Sequence, residues 1–219
     1  MPDGFREAAE ALAAIGRRFD ARGWVLGTSG NFSMRFHRAP ARIAITRSGA
    51  HKGTLSPADI LEIDEAANVV GGGPGSPSAE TRLHQQIYAS RDAGAVLHTH
   101  SIWATVLSDR HAGAGGMAIE GYEMLKGLAG VTTHEHREWI PIVANDQDMA
   151  RLGGATRALL AARADCHAFL IQRHGLYTWG ATLQDAARHV EIVEFLLECL
   201  GRSERHGDSE DSLGPGDAS

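Results

Sequence analysis

The sequence predicts a single α/β domain of the α+β kind, in which helices cover a central, mostly antiparallel sheet. Segments with strand patterns and segments with helical patterns alternate irregularly, and several strand segments follow one another directly. Such an order is typical of a largely antiparallel or mixed sheet. The 219 residues are enough for one sizeable hydrophobic core and short enough for a single domain.

Five segments carry helical signals. Residues 4–21 repeat apolar side chains at helical spacing, and Gly23 ends this helix. Thr182 caps the last helix, with Asp185 three residues later. The predicted helices are residues 4–21, 78–90, 101–108, 146–163 and the segment that begins after Thr182.

Strand signals are apolar runs or alternating apolar and polar residues of four to six positions. They predict strands at residues 31–36, 42–46, 61–64, 95–100 and 167–172. Residues 56–59 predict a capped turn with proline at its first position, and the glycine-rich segments 71–77 and 113–116 predict loops.

The end of the chain differs in composition. Residues 203–219 are rich in Gly, Ser and Asp and contain one leucine, which predicts a disordered polar tail. The predicted domain therefore spans residues 1–202.

Bulk composition excludes several classes of partner. A formal net charge of −6 argues against general binding to nucleic acid or anionic membranes, and no apolar run approaches the ~20 residues of a membrane span. Charged residues interrupt the first segment, so no secretory signal is expected there. Cys166 and Cys199 do not form a C-x-x-C pair and are expected as reduced thiols in a cytoplasmic protein.

Three histidines predict a metal site. His98 and His100 end a predicted strand, where residues i and i+2 point the same way, and His174 follows the next strong apolar strand. Three histidines with an open position are typical of catalytic rather than structural zinc. The alternative is a surface H-x-H pair without a metal. The remaining clustered histidines are expected to be solvated or singly hydrogen-bonded; they are His84, His111, His134, His136, His167 and His189.

Three loop segments indicate an anion site. Residues 27–33, residues 46–49 and the pair Pro77-Ser78 each offer hydroxyls or exposed backbone N–H groups next to a strand or helix end. Convergent loops of this kind can bind a phosphate. Taken singly, each is equally consistent with an ordinary turn.

The order of these motifs resembles the class II aldolase/adducin family over residues 5–200. The segments that carry the resemblance are GTSGNFS, ITRSGAHKGTLSPADI, PSAETRLHQQIY, HTHS and RHGLYTWG. The resemblance implies a class II aldolase-like fold, a small ketose phosphate as substrate, and a homotetramer with active sites between subunits. It also implies one zinc ion (Zn²⁺) per subunit, bound by His98, His100 and His174. The implied phosphate-binding residues are Thr28, Gly30, Asn31, Ser48, Gly49 and Ser78.

One segment indicates a branch within the family. Residues 121–128 read GYEMLKGL, and this E-M-x-K-G pattern resembles the branch that dehydrates 5-methylthioribulose 1-phosphate in methionine salvage. The resemblance implies that Glu123 is the acid/base, with Glu80 as a second candidate, because Glu80 matches the proton-handling glutamate of the aldolases. Without the resemblance, Glu123 is a residue of an amphipathic turn, and Glu80 is favourable next to a helix N-terminus through the helix dipole alone.

Two other functions fit the same pattern. A class II sugar-phosphate aldolase or epimerase shares the zinc and phosphate residues and differs in its proton-handling groups. A non-catalytic scaffold, as in the adducin branch, has no need of three metal ligands, so the intact histidines argue against it.

Overall fold

The computed structural model describes residues 3–210, with side chains described for residues 4–204. In this part of the chain, five α-helices and one nine-stranded sheet form a single domain. The helices are α1 Asp3–Asp20, α2 Thr81–Ser90, α3 Ile102–Arg110, α4 Met149–Ala162 and α5 Leu183–Glu210. The strands are β1 Asn31–Arg38, β2 Ala41–Thr46, β3 Ile60–Ile63, β4 Val69–Gly72, β5 Ala95–Thr99, β6 Gly116–Glu120, β7 Arg137–Val143, β8 Ala168–Ile171 and β9 Gly175–Gly180.

The sheet has the order β4-β3-β2-β1-β5-β9-β8-β7-β6. Each neighbouring pair is antiparallel except β7 and β8, so the predicted mostly antiparallel sheet is confirmed. At its centre, Asn31 of β1 lies opposite His98 of β5, and His98 lies opposite Tyr177 of β9. This register aligns three polar side chains across adjacent strands.

Helices cover both faces of the sheet. Apolar residues of α1, α3 and α5 pack on one face, and those of α2 and α4 pack on the other. Side chains alternate along β5, so Leu97 packs on the α1 side and Val96 on the α2 side. His98 therefore points to the α2 side, whereas Thr99 points to the α5 side.

Four strands were not predicted from the sequence: β4, β6, β7 and β9. The strand β9 is buried along its whole length and has glycine at both ends, so it shows neither alternation nor an obvious boundary. The predicted loop 113–116 is wrong at its end, because Gly116 already begins β6.

Two predicted helix starts are also corrected. The helix α2 begins at Thr81, and the Ser78 hydroxyl instead accepts a hydrogen bond from the Glu80 backbone N–H at 3.2 Å. The helix α4 begins after Asp148, whose carboxylate accepts from the first backbone N–H groups of the helix.

The last helix extends beyond the predicted boundary at residue 202. It continues to Glu210, and Arg110, the last residue of α3, and His111, which follows it, bind the Glu204 carboxylate at 2.8 and 2.9 Å. These contacts hold the end of α5 against α3, and the domain boundary at residue 202 stays a prediction. Residues 211–219 of the predicted tail lie outside the described residues. Among residues 3–210, no helix combines the length and the apolar composition that a membrane crossing requires.

A substitution at Gly175 tests the packing between β5 and β9, and a substitution at Gly154 serves as its control. A Cβ added at Gly175 would overlap the carbonyl oxygen of Thr99 and lie 3.0 Å from the His98 ring. We therefore expect Gly175→Ala to lower the free energy of unfolding by about 3 kcal/mol or more. At Gly154, inside α4, no atom lies within 4 Å of an added Cβ, so Gly154→Ala should stabilise the protein by about 0.5–1 kcal/mol. Urea denaturation of both variants checks this, and similar stabilities would contradict the predicted overlap.

Candidate metal centre

Three imidazoles and one carboxylate converge at the end of β5. The Nε2 atom of His100 lies 2.8 Å from that of His98 and 3.1 Å from that of His174. The Glu80 carboxylate lies 3.0 Å from His174 Nε2 and 3.7 Å from His98 Nε2. One potential ligand atom from each of the four residues lies within 4.8 Å of all the others.

The sheet and its turns explain this convergence. His98 is the fourth residue of β5, and His100 follows the strand, with its backbone N–H donating to the Trp24 carbonyl at 2.8 Å. His174 lies in the tight turn between β8 and β9, where Arg173 has φ 55°. Gly30, before β1, has φ 72°, and an added Cβ would lie 2.6 Å from the His98 carbonyl oxygen. Gly30 therefore allows the backbone to pass close to the strand that carries His98.

The histidines present lone pairs to one another. His98 is completely buried, and its Nδ1–H donates to the Leu176 carbonyl at 2.9 Å, which leaves Nε2 unprotonated in the neutral ring. Burial lowers the pKa of His98 well below its usual range. Burial, together with the electrostatic effect of the neighbouring His174, lowers the pKa of His100 to about 4. Neutral imidazoles at this spacing are suited to share a cation.

Glu80 supplies the negative charge. Its Oε2 atom accepts a hydrogen bond from Asn31 Nδ2 at 2.5 Å, and its Oε1 atom faces the histidines. Burial alone would raise the pKa of Glu80, but interactions with His98 and His174 and the hydrogen bond from Asn31 hold it well below its usual range. Three imidazoles and an ionised carboxylate are a donor set that fits zinc or another divalent transition metal.

Glu123 is not brought to this cluster within the chain. It begins the 3₁₀ segment Glu123–Gly127, its carboxylate is 73% exposed, and it pairs with Lys126 at 2.6 Å and with His134 at 3.9 Å. This segment packs against α5, where the Arg188 side chain donates to the Gly127 carbonyl, on the sheet face opposite to the His98 ring. Within one chain, the second predicted carboxylate, Glu80, lies at the site and the first does not.

The three predicted anion-binding loops are joined to one another. A backbone hydrogen bond of 2.9 Å from Ser48 to Ser76 connects the loop after β2, which carries Gly49, to the segment that leads to Ser78. The Lys52 ammonium donates to the carbonyls of Thr28 at 3.0 Å and Ala50 at 2.7 Å and so connects the loops before β1 and after β2.

Two residues modify the predicted anion site. Lys52, which was not predicted as a site residue, is buried, and burial lowers its pKa to about 8, although Glu80 opposes this shift. The Asn31 amide is used by Glu80 and His84 and therefore serves the carboxylate rather than an open anion pocket. A cavity of about 550 Å³ opens beside His100 and His174 and is lined on its outer side by Arg173.

Several histidines outside the cluster have more partners than predicted. His84 is bonded through both ring nitrogens, and His189 accepts from Ala129 and donates to Trp179. His136 and His167 share the buried carboxylate of Glu138. The prediction of solvated or singly bonded rings is wrong for His84, His167 and His189, because each of these rings bonds through both nitrogens. His136 forms a single ring hydrogen bond, to Glu138, as predicted.

A buried carboxyl group supports the loop that carries two of the histidines. Glu194 of α5 accepts a hydrogen bond from Thr99 Oγ1 at 2.8 Å and another from Ser101. Ser101 in turn accepts from the Ala104 backbone N–H and so begins α3. Burial raises the pKa of Glu194 to about 7, although both hydroxyl groups oppose this shift.

The chain belongs to the class II aldolase and adducin N-terminal domain family, whose model matches residues 10–200. It is 48% identical to the methylthioribulose-1-phosphate dehydratase of Pseudomonas paraeruginosa, over 91% of this chain and 96% of that protein. It is 43% identical to the enzyme of the same name from Sorangium cellulosum, over 89% of this chain and 92% of that protein.

Solved structures with this fold include sugar-phosphate aldolases. An L-fuculose 1-phosphate aldolase superposes with a TM-score of 0.76 at 23% identity, over 92% of this chain and 88% of that one. The L-fuculose-1-phosphate aldolase of Thermus thermophilus superposes with a TM-score of 0.68 at 23% identity, over 90% and 95% of the two chains. At this identity, the similarity establishes the fold.

The buried Glu194 predicts a pH dependence of stability. Because its pKa is about 7 in the folded chain and near 4.5 in the unfolded chain, the folded protein binds more protons between these values, and its stability falls as pH rises. We expect wild-type protein to lose up to roughly 3 kcal/mol more than Glu194→Gln between about pH 4.5 and about pH 7.5. Urea unfolding at both pH values measures the difference. An equal pH dependence of the two proteins would show that Glu194 is ionised without cost.

Proposed function

We propose that this chain dehydrates 5-methylthioribulose 1-phosphate to 5-methylthio-2,3-dioxopentyl phosphate and water, as a step of methionine salvage, with one zinc ion per chain. The observation that carries this proposal is the high identity to curated dehydratases of that substrate over nearly their whole length. The cluster of His98, His100, His174 and Glu80 supplies a site at which such chemistry can occur.

The three histidines would hold the zinc ion, with Glu80 beside it. When bound, zinc supplies Lewis acidity, which favours loss of a proton next to a carbonyl group. The contribution of the chain is to keep the His98 and His100 imidazoles neutral by burial and to keep Glu80 ionised through the histidines and Asn31. These residues therefore set the charge of the site before the substrate arrives.

The reaction moves one proton and one hydroxyl group. The proton leaves C3 of the ketose, the hydroxyl leaves C4 and becomes water, and the resulting enol becomes the second ketone. A positioned carboxylate can take the first proton and deliver one to the departing hydroxyl. This role is assigned to Glu123, whose exposed carboxylate is free to enter the site of a second copy of the chain.

This assignment requires an oligomer. The proposal therefore includes a cytoplasmic homotetramer in which Glu123 of one subunit completes the site of its neighbour. The exposed position of Glu123 and its location on the sheet face opposite to the His98 ring support this arrangement.

The substrate phosphate would bind at the joined loops. Backbone N–H groups and hydroxyls of Thr28, Gly30, Ser48, Gly49 and Ser78 are the proposed contacts, and Lys52 holds two of these loops together. The backbone of Asn31 is a further proposed phosphate contact, while its side chain is bonded to Glu80 and His84.

A class II sugar-phosphate aldolase is the second candidate, and one observation favours it. Glu80, which matches the proton-handling glutamate of the aldolases, lies within hydrogen-bond distance of His174, whereas Glu123 lies outside the cluster of the same chain. An active aldolase would use Glu80 as its acid/base and would not need Glu123.

The first experiment compares these two activities. Zinc-loaded protein should convert 5-methylthioribulose 1-phosphate to a product lighter by one water, and mass spectrometry measures the mass of this product. A chelator should abolish turnover, and His100→Ala should lose zinc and activity together because an imidazole ligand is missing. Cleavage of L-fuculose 1-phosphate by folded, zinc-loaded protein that leaves the first substrate intact would favour the aldolase. A His100→Ala variant that keeps one tight zinc per chain would refute the ligand assignment.

A second experiment tests whether Glu123 acts between subunits. Glu123→Gln should retain zinc and lose turnover, and His100→Ala should be inactive for a different reason. Mixed and reassembled in equal amounts, the two variants should recover about a quarter of wild-type activity, because some sites then combine an intact zinc cluster with an intact Glu123 from the neighbour. Near-normal turnover of Glu123→Gln alone would exclude its role. Exchange of subunits without recovery of activity would place Glu123 outside a shared site.

A further inference from the structure

A continuous chain of buried hydrogen bonds leads from the core to Glu80. Tyr88 Oη lies 2.9 Å from Ser33 Oγ, which lies 2.7 Å from His84 Nδ1. His84 Nε2 lies 2.5 Å from Asn31 Oδ1, and Asn31 Nδ2 lies 2.5 Å from Glu80 Oε2. Two residues are on β1 and two on α2, so the chain joins a strand and a helix that are far apart in sequence.

The direction of each hydrogen bond in this chain is determined by its ends. The Glu80 carboxylate can only accept, so Asn31 must present its NH₂ group to Glu80 and its carbonyl to His84. His84 must then donate from Nε2, because an amide carbonyl cannot donate. Its Nδ1 accepts from Ser33, and Ser33 accepts from Tyr88. Every donor therefore points towards Glu80.

The charge of His84 is consistent with this arrangement. The ring is 1% exposed, and burial lowers its pKa to about 4 although Glu80 opposes the shift, so the imidazole is neutral and carries one proton. That proton is on Nε2, as the direction of the hydrogen bonds requires. A neutral ring of this tautomer discriminates between the two orientations of the Asn31 amide, since the flipped amide would direct two donors at each other and an oxygen at the carboxylate.

His84 also contacts the wall behind the histidine cluster. Its ring packs edge-on against Tyr177 with ring centroids 5.9 Å apart, and the Tyr177 ring is stacked on His98 at 3.9 Å. The residue therefore reaches the cluster along two paths, one through Asn31 to Glu80 and one through Tyr177 to His98.

We propose that His84 is a positioning residue that fixes the Asn31 amide and thereby holds the Glu80 carboxylate against the three metal-binding histidines. The proposal rests on the metal site described under the proposed function but not on the identity of the substrate. Groups that orient metal ligands from outside the coordination sphere typically change metal affinity or activity by about 10–100-fold when they are removed. A histidine that only fills space in the core would have no such effect on the metal.

The test measures zinc release, with zinc alone as the ligand. Wild-type protein and His84→Phe are loaded with zinc, and its transfer to a chromophoric chelator is followed in time. His84→Phe should release zinc about 10–100-fold faster, because the Asn31 amide is no longer oriented and Glu80 loses its fixed position. His84→Gln places an amide donor near the former Nε2 position and should recover most of the loss.

A matched variant separates positioning from general loosening of α2. Ile87→Ala removes a fully buried apolar side chain one turn further along the same helix and leaves every polar contact of the chain in place. It should lower stability yet release zinc at the wild-type rate. Equally fast release from folded Ile87→Ala and His84→Phe would overturn the proposal.

A double variant tests whether His84 acts through Asn31. The single variant Asn31→Ala replaces His84→Phe as the test if His84→Phe does not fold. Asn31→Ala breaks the same link from the other side and should accelerate zinc release to a similar extent. Because His84→Phe keeps an aromatic ring against Tyr177, its effect on zinc release runs through the lost hydrogen bond to Asn31. The variant that combines Asn31→Ala and His84→Phe should therefore release zinc no faster than Asn31→Ala alone. Independent, multiplicative effects would overturn the proposal, as would zinc release from Asn31→Ala at the wild-type rate.

The zinc-release experiments on His84 and the activity test of the proposed function can fail independently. Wild-type protein that holds zinc but does not dehydrate the proposed substrate would refute the function, and the zinc-release series would still decide the role of His84. Wild-type protein that holds no zinc would overturn both.

Discussion

The register of the three central strands is the constraint on which the site depends. Adjacent strands lie about 4.8 Å apart, and residues directly opposite one another point to the same face. Asn31, His98 and Tyr177 are opposite in register, so one face of the sheet carries the amide that binds Glu80, an imidazole of the candidate metal centre and the ring that supports it. A slip of one residue in β5 would turn His98 to the α5 side and place Thr99 in the site.

The second constraint is that buried polar groups need partners. Four polar residues around the site are wholly or largely removed from water, and each is bonded to a group on another element or loop. They are Glu80, His84, Lys52 and Glu194. A buried polar group without a partner is costly, so these contacts fix the positions of the loops more firmly than apolar packing would. The surroundings of the candidate metal centre are therefore a network in which each residue limits the freedom of the next.

Much of the fold and the histidine cluster could be predicted from local patterns. The pair His98 and His100 follows from strand alternation alone, and His174 from its place after an apolar strand. The role of His84 could not be predicted in this way, because its partner Asn31 lies 53 residues away on a strand and the contact requires the folded sheet. The sequence could not decide between Glu80 and Glu123 for the same reason. Each matches a motif, and only the folded chain shows that Glu80 lies beside the histidines and Glu123 does not.

The helix α5 limits how the length of the chain around the candidate metal centre can change during evolution. Its 28 residues span about 42 Å, and they contact the Glu123 segment near one end, Thr99 through Glu194 in the middle, and α3 through Glu204 near the other end. Each residue of a helix advances about 1.5 Å and turns about 100°. Insertion or deletion of one residue between these contacts would rotate all that follows away from its partners. Substitutions on the exposed face of α5 are therefore tolerable, whereas changes in its length are not, and homologous chains that keep the metal centre should keep the number of residues between these contacts.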